Sequence, residues 1–234
     1  MSKTQGFIRR GPHLTEQVYL ALCQGLVSGE YVPGQALVIE HVAVQLGVSP
    51  TPVREALARL LEKGLIVQTP NGKLQVIQLT ERYVRDMFLV RSALEGLGAE
   101  LATLRITAEQ LSTLRQMLAD TTASLAEGNY EVYSQSDAYL HDLIKEAADN
   151  TILKIELEAL KWHIDFIRGY SQRHAGSHVS ASHQEHLAIL EAFSNRDPVG
   201  AREATEHHIR NASERIVQLI DFHNDRLRAS SLSI

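Results

Sequence analysis

Residues 42–66 read VAVQLGVSPTPVREALARLLEKGLI, and two short helical patterns lie in it on either side of a turn. The first, Glu40 to Leu46, predicts a helix closed by Gly47, a residue suited to the left-handed conformation that ends helices. The second predicts a helix with Thr51 as N-cap and Pro52 as its first residue. Its period turns Val53, Leu57, Leu60 and Leu61 inward, while Arg54, Glu55, Ala58, Arg59 and Glu62 face out, with Glu55 and Arg59 spaced as a surface pair. Gly64 stops it. Upstream, Leu14, Val18, Leu22 and Leu26 recur at four-residue steps, the pattern of an amphipathic helix that Gly29 and Pro33-Gly34 terminate. Downstream, LIVQTPNGKLQVIQL (65–79) holds two β-rich runs joined by Pro70-Asn71-Gly72, and Asn-Gly between such runs is a strong hairpin signal. Helix, helix, turn, helix and hairpin make a winged helix-turn-helix, expected over residues 10–78.

Beyond Thr80 the texture changes. There is no proline before Pro198, and long periodic segments predict only helices, at about 81–104, 108–127, 130–148, 152–170, 183–194 and 198–227. The expectation is a mainly α protein whose second domain, residues 80–228, is an all-α bundle. Thr107-x-x-Gln110 and Ser182-x-x-Glu185 have the spacing of capping boxes, Gly128-Asn129 and Asp149-Asn150 are breaks, and Asp197-Pro198 opens the last helix. Residues 171–181 read as a polar loop.

Composition narrows the function classes. With 44% hydrophobic and 22% charged residues in 234, the chain is neither disordered nor fibrous. No run approaches the roughly 18 apolar residues that cross a bilayer, and MSKTQGFIRRGPH lacks the apolar core of a secretory signal, so a cytoplasmic protein with no membrane contact is expected. The single cysteine, Cys23, cannot form an internal disulfide or a thiolate zinc site alone, and reads as a small buried hydrophobe. Residues 1–78 carry a net charge of +2 and residues 79–234 a net charge of −7. DNA contact therefore needs a local basic surface in the N-terminal third. Nine of the 11 histidines lie between His141 and His223, and imidazole is the commonest metal ligand.

In a helix-turn-helix the second helix sets its first turn against base edges. Ser49 and Thr51 are placed to donate to phosphate, and Arg54 to make the bidentate contact to guanine. Arg59 and the wing residues Asn71, Gly72 and Lys73 are candidates for backbone contacts. The plainer alternative makes Arg54 a solvated helix charge and Thr51 only a cap. In the second domain Asp137 and His141 are four apart and share a helix face, whereas His186 and His208, 22 residues apart, suit antiparallel neighbours joined by a short turn. Three imidazoles and a carboxylate on facing helices suit zinc, nickel or another first-row divalent ion. Trp162, Phe166 and Tyr170 form a stripe that reads as bundle core or dimer contact rather than an aromatic cage.

The N-terminal run, Gly29-x-x-x-Pro33-Gly34 followed by VAVQLGVSPTPVREALARLLEKGLI and the Asn71-Gly72 wing, resembles the GntR family of bacterial transcription regulators over about residues 14–78. Pro50 departs from the pattern, standing where many members have arginine. Arg91-x-x-x-Glu95, Asp137-x-x-x-His141, Asp149-Asn150, Glu185-His186 and His208-Ile209 extend the resemblance to the FadR subfamily and its FCD effector domain, over about residues 80–225. The resemblance implies Asp137, His141, His186 and His208 as metal ligands, and a small organic-acid effector that reaches the metal and a nearby arginine. Arg91 is the candidate for the effector carboxylate, with an intrahelical pair to Glu95 as its alternative, and Asn211 is a further candidate contact. His207, His174, His178 and His183 are not expected to be ligands.

The function expected is a ligand-responsive regulator that binds a palindromic operator in double-stranded DNA as a homodimer. It has two rivals. His141-Asp142 is the HD dyad of helical metal-dependent phosphohydrolases, although the only earlier histidines, His13 and His41, fall in the winged helix. In the other reading the metal is structural and the second domain only dimerises.

Overall fold

The computed structural model describes residues 14–174 and 179–231. Residues 10–13, where the expected first domain begins, and 175–178 of the expected polar loop lie outside the described residues. The chain divides into two compact units, one of residues 1–79 with 162–173 and one of residues 80–161 with 174–234.

The first unit holds α1 (Leu14–Ser28), β1 (Ala36–Leu37), α2 (Ile39–Leu46), α3 (Pro50–Glu62), β2 (Ile66–Gln68) and β3 (Leu74–Val76). α3 packs on α1 and α2, with Val53, Ala56, Leu57 and Leu60 buried together with Val18, Leu22 and Leu26. Gly47 ends α2 at φ 68°, the left-handed geometry expected of it. α3 starts two residues earlier than its proline pattern suggested: Pro50 opens the helix and Ser49 is the N-cap, so Thr51 and Pro52 sit inside the first turn. A proline costs nothing at the first helical position, where its absent N–H has no partner to lose, and both prolines fit within that turn. Leu61 is 37% exposed because the buried arc is centred on Val53, Ala56, Leu57 and Leu60, leaving Leu61 on its rim.

β2 and β3 pair antiparallel as the wing, and β1 adds to the far side of β3, giving the order β1-β3-β2. β1 is too short to show alternation and leaves no sequence signal. Cys23 is fully buried, and burial pushes its thiol up to about 12. Within the same unit Phe166 is fully buried and Tyr170 nearly so, whereas Trp162 is half-buried; the stripe thus gives two core residues to the first unit rather than to the bundle.

The second unit is built from α4 (Glu81–Thr103), α5 (Ala108–Ala126), α6 (Glu131–Ala147), α8 (Val179–Ser194) and α9 (Pro198–Ser231), with the first half of α7 (Thr151–His174). α4 lies along α9 and α6, α5 along α6 and α8, and α8 along α9, around a core that includes Leu118, Leu140, Ile144, Ile189 and Phe193. The Thr107 box forms: Thr107 Oγ1 accepts from the Gln110 N–H at 3.1 Å and Gln110 Oε1 from the Thr107 N–H at 2.9 Å. Replacing Thr107 with alanine is expected to cost about 1 kcal/mol, read as a lower urea midpoint with unchanged slope.

The second expected box does not form. α8 begins at Val179, so Ser182 is inside the helix, where its hydroxyl accepts from Arg215. Glu185 instead meets His208 and Arg215. Residues 171–174 and 179–181 of the expected loop are likewise helical. Among the described residues no helix is long and apolar enough to cross a membrane.

Candidate metal centre

Three helices bring four ligand groups of the second unit together. Asp137 and His141 lie one turn apart on α6, His186 is on α8 and His208 on α9. One ligand atom from each lies within 4.8 Å of all the others. Asp137 Oδ1 is 3.5 Å from His141 Nε2 and 3.6 Å from His186 Nε2, and the Nε2 atoms of His186 and His208 are 3.3 Å apart. Ligand atoms each about 2 Å from one divalent ion have separations of this order. Asp137, His186 and His208 are buried, and His141 is nearly so.

Two arginine-held carboxylates back this cluster. His141 Nδ1 lies 2.5 Å from Glu95 Oε2, and Arg91 Nε donates to Glu95 Oε1 at 2.6 Å. His208 Nδ1 lies 2.8 Å from Glu185 Oε2. Glu185 also takes a two-pronged contact from Arg215, at 2.8 Å on each oxygen, and a hydrogen bond from Asn211 Nδ2 at 2.7 Å. The Tyr133 ring stacks on His186 at 5.6 Å, and its hydroxyl donates to Asp137 Oδ1 at 3.3 Å.

These surroundings set the protonation states. Burial holds His186 well below the ordinary imidazole range and lowers His208 as well, so both rings are neutral and have a lone pair to offer. Burial is the largest influence on His141 and pulls it down, but the Glu95 and Asp137 carboxylates together outweigh it and the net shift is upward. A divalent ion would displace that proton. Burial raises Glu185, but the donors from Arg215, His208 and Asn211 overcome it and bring the carboxyl down to about 2. The donor set, three imidazole nitrogens and one carboxylate oxygen, fits a first-row divalent ion.

A pH dependence follows for chelator-treated protein. His186 and His208, with His163 and His183, have native pKa values below 6.5, so the unfolded chain binds more protons than the folded one once pH falls through that value. Stability fully present above about pH 6.5 is then lost on acidification, with His141 alone opposing among the described histidines. The melting temperature is expected to fall between pH 7.5 and 5.5; a flat or rising one contradicts these environments.

Arg91 and Asn211 both border the cluster, but each is engaged by a glutamate, and Arg91 Nη2 lies 3.3 Å from both His141 ring nitrogens. Glu185 and Arg215 are the site residues that sequence reasoning missed. The first read as a capping residue, and nothing local marks an arginine whose partner is 30 residues away. His183 was expected beside a loop, yet it is buried in α8, where Nε2 lies 2.7 Å from Thr122 Oγ1, and it stands outside the four-residue cluster. His207 is exposed, as its place on the helix implied.

Asp142 does not join His141. Successive helical residues point about 100° apart, and the Asp142 side chain, 71% exposed, pairs instead with Lys145 Nζ at 3.0 Å. That removes the HD dyad and with it the hydrolase alternative.

In the first unit Ser49, Thr51 and Arg54 are exposed at the start of α3, and Asn71, Gly72 and Lys73 at the β2–β3 turn, where Gly72 takes φ 76°. Arg59 differs from them. Its Nη1 lies 2.5 Å from Glu16 Oε2 and its guanidinium carbon 4.0 Å from the Tyr19 ring centroid, both on α1. Glu55 accepts from Thr15 Oγ1 at 2.6 Å, so the expected Glu55–Arg59 pair does not form: α1 offers each residue a partner.

Residues 14–76 match the bacterial regulatory proteins of the gntR family, and residues 86–211 match the FCD domain. The HTH-type transcriptional repressor RspR of Escherichia coli K12 is 29% identical over 212 residues, 91% of this chain and 92% of that one. Among solved structures, E. coli McbR/YncC superposes with a TM-score of 0.70 at 24% identity, covering 87% of this chain and 97% of that one. The metal-free FCD domain of TM0439 gives 0.54 at 23% identity, covering 62% of this chain and 98% of that one. These two share the fold. With both of its parts matched, the second over more than half of its length, the chain belongs to the GntR family of bacterial DNA-binding transcription regulators that carry an FCD domain, and is not an enzyme.

Proposed function

We propose that the chain is a ligand-responsive regulator of the FadR subfamily. It binds a palindromic operator as a homodimer, and a small organic acid at the metal centre of its second domain modulates its DNA affinity. The observation that carries the reading is the convergence of Asp137, His141, His186 and His208 on one buried point inside an FCD domain. These four residues would hold zinc or nickel, and the bound ion would supply Lewis acidity to attract an anionic effector oxygen.

Residues 10–78 form the DNA-binding domain in this reading, and residues 80–228 the domain that binds metal and effector and dimerises. Arg91, next to His141, is the candidate for the effector carboxylate, and Asn211 for a second polar contact. Palindromic half-sites need two recognition helices related by a twofold axis, hence the homodimer. Leu89, Val90, Leu97 and Leu104 leave an apolar stripe exposed along α4 and its end, a surface suited to a second copy. Ser49, Thr51 and Arg54 would read the operator, with Arg59, Asn71, Gly72 and Lys73 on its backbone, in the cytoplasm.

Selection of bound sites from a random duplex library at near-physiological salt tests the DNA half of the reading. The expected result is a short inverted repeat; nothing above background, with divalent metal added, overturns it. A panel of small carboxylic acids tests the effector. The effector raises the melting temperature of the zinc-loaded protein and shifts operator affinity, and a metal that is only structural gives neither.

A further inference from the structure

We propose that Glu95 and Glu185 are positioning residues of the metal centre: each fixes one imidazole through its Nδ1 so that Nε2 faces the ion, and each is held by its own arginine. The inference rests on the metal reading above.

The hydrogen-bond chemistry leaves one arrangement. A carboxylate only accepts, so the 2.5 Å contact of His141 Nδ1 with Glu95 Oε2 and the 2.8 Å contact of His208 Nδ1 with Glu185 Oε2 require N–H on both Nδ1 atoms. With that proton fixed at Nδ1, the atom left to donate a lone pair to an ion is Nε2, which faces the other ligands. Neither carboxylate can turn away. Arg91 occupies the second oxygen of Glu95, and Arg215 grips both oxygens of Glu185 while also donating to Ser182.

The two chains of contacts span different helix pairs. Arg91 and Glu95 on α4 orient a ligand on α6, whereas Glu185 on α8 orients a ligand on α9, the helix that also supplies Arg215 and Asn211. His186 is the internal contrast. Its ring is fully buried, yet its Nδ1 has no hydrogen-bond partner among the described residues, so stacking on Tyr133 rather than a carboxylate sets its orientation. Two ligands are aimed by charge-assisted hydrogen bonds and one by packing. Arg91 accordingly has a structural duty at the centre whatever it does toward an effector.

The test uses the full chain, with zinc affinity read by competition against a chromophoric chelator and geometry read from the visible spectrum of the cobalt(II)-loaded protein. Glu95→Gln and Glu185→Gln are each expected to weaken zinc binding about 10- to 100-fold and to alter the cobalt spectrum. Glu100→Gln, on a surface carboxylate paired with Arg202, changes neither. If the parent protein binds no zinc or cobalt, the metal reading itself fails. If the parent binds and both variants stay within twofold with an unchanged spectrum, the centre stands and the positioning role is overturned. Long-range 1H–15N spectra of the zinc-loaded parent decide the matter without relying on a variant to fold. His141 and His208 are expected to carry N–H at Nδ1, and an unprotonated or metal-bound Nδ1 on either ring overturns the proposal.

Discussion

Replacing His186 with alanine is expected to lower zinc affinity by more than about 100-fold, beyond the loss typical of removing an outer partner. His186 Nε2 is the nitrogen that links Asp137 Oδ1, at 3.6 Å, to His208 Nε2, at 3.3 Å, so its loss leaves the remaining donors spread around a gap. The ion-free variant should still fold. The native ring keeps a buried Nδ1 with no hydrogen-bond partner among the described residues, a cost of about 1–3 kcal/mol that alanine removes and that offsets part of the cavity it opens. Saturating zinc stabilises a site with intact affinity by about 4 kcal/mol at 1,000 times Kd. The melting temperature of the parent should therefore climb with added zinc, while that of His186→Ala barely moves. His208→Ala should behave alike, with the added loss of the ring that Glu185 anchors. A variant that keeps the parent's affinity would remove that histidine from the ligand set.

The parts of this molecule legible in the sequence are those whose signal is local. Gly47, Gly72 and the Thr107–Gln110 box each declare a backbone conformation within a few residues, and each takes it up. The clustering of Asp137, His141, His186 and His208 was legible because helical spacing and a short turn bring two pairs together, leaving one juxtaposition to the tertiary fold. What stayed hidden depends on contacts between distant elements. The Glu185–Arg215 clamp spans 30 residues, and the Arg59–Glu16 pair spans 43. In the latter case helical spacing pointed to Glu55, but α1 supplied nearer partners to both residues. Ser182 shows the same limit from the other side: a capping pattern was present, yet the helix ran through it to Val179. Serine and glutamate serve helix starts and buried clamps equally well, and only the packing of α8 on α9 distinguishes the two.

Arg54→Ala is expected to weaken binding to the selected operator by about 1–3 kcal/mol, roughly 5- to 150-fold, and to relax sequence preference at one position of each half-site. Arg54 stands exposed just past the first turn of α3, near the N-terminal end of the helix that brings side chains to base edges when it lies in the major groove. Its substitution leaves the buried residues Val53, Ala56, Leu57 and Leu60 untouched, so thermal stability should not change. Arg59→Ala supplies the opposite pattern. Tied to Glu16 and stacked over Tyr19, Arg59 is expected to lower the stability of the first unit when removed, with little change in sequence preference. Lys73 on the wing gives a third signature: its loss should weaken all sequences alike and reduce the salt slope by about 1. Anisotropy titrations on the operator and on scrambled duplex, at several salt concentrations, separate the three. An equal loss on both duplexes for Arg54→Ala would make Arg54 a phosphate contact, and no loss on either would take it off the DNA surface.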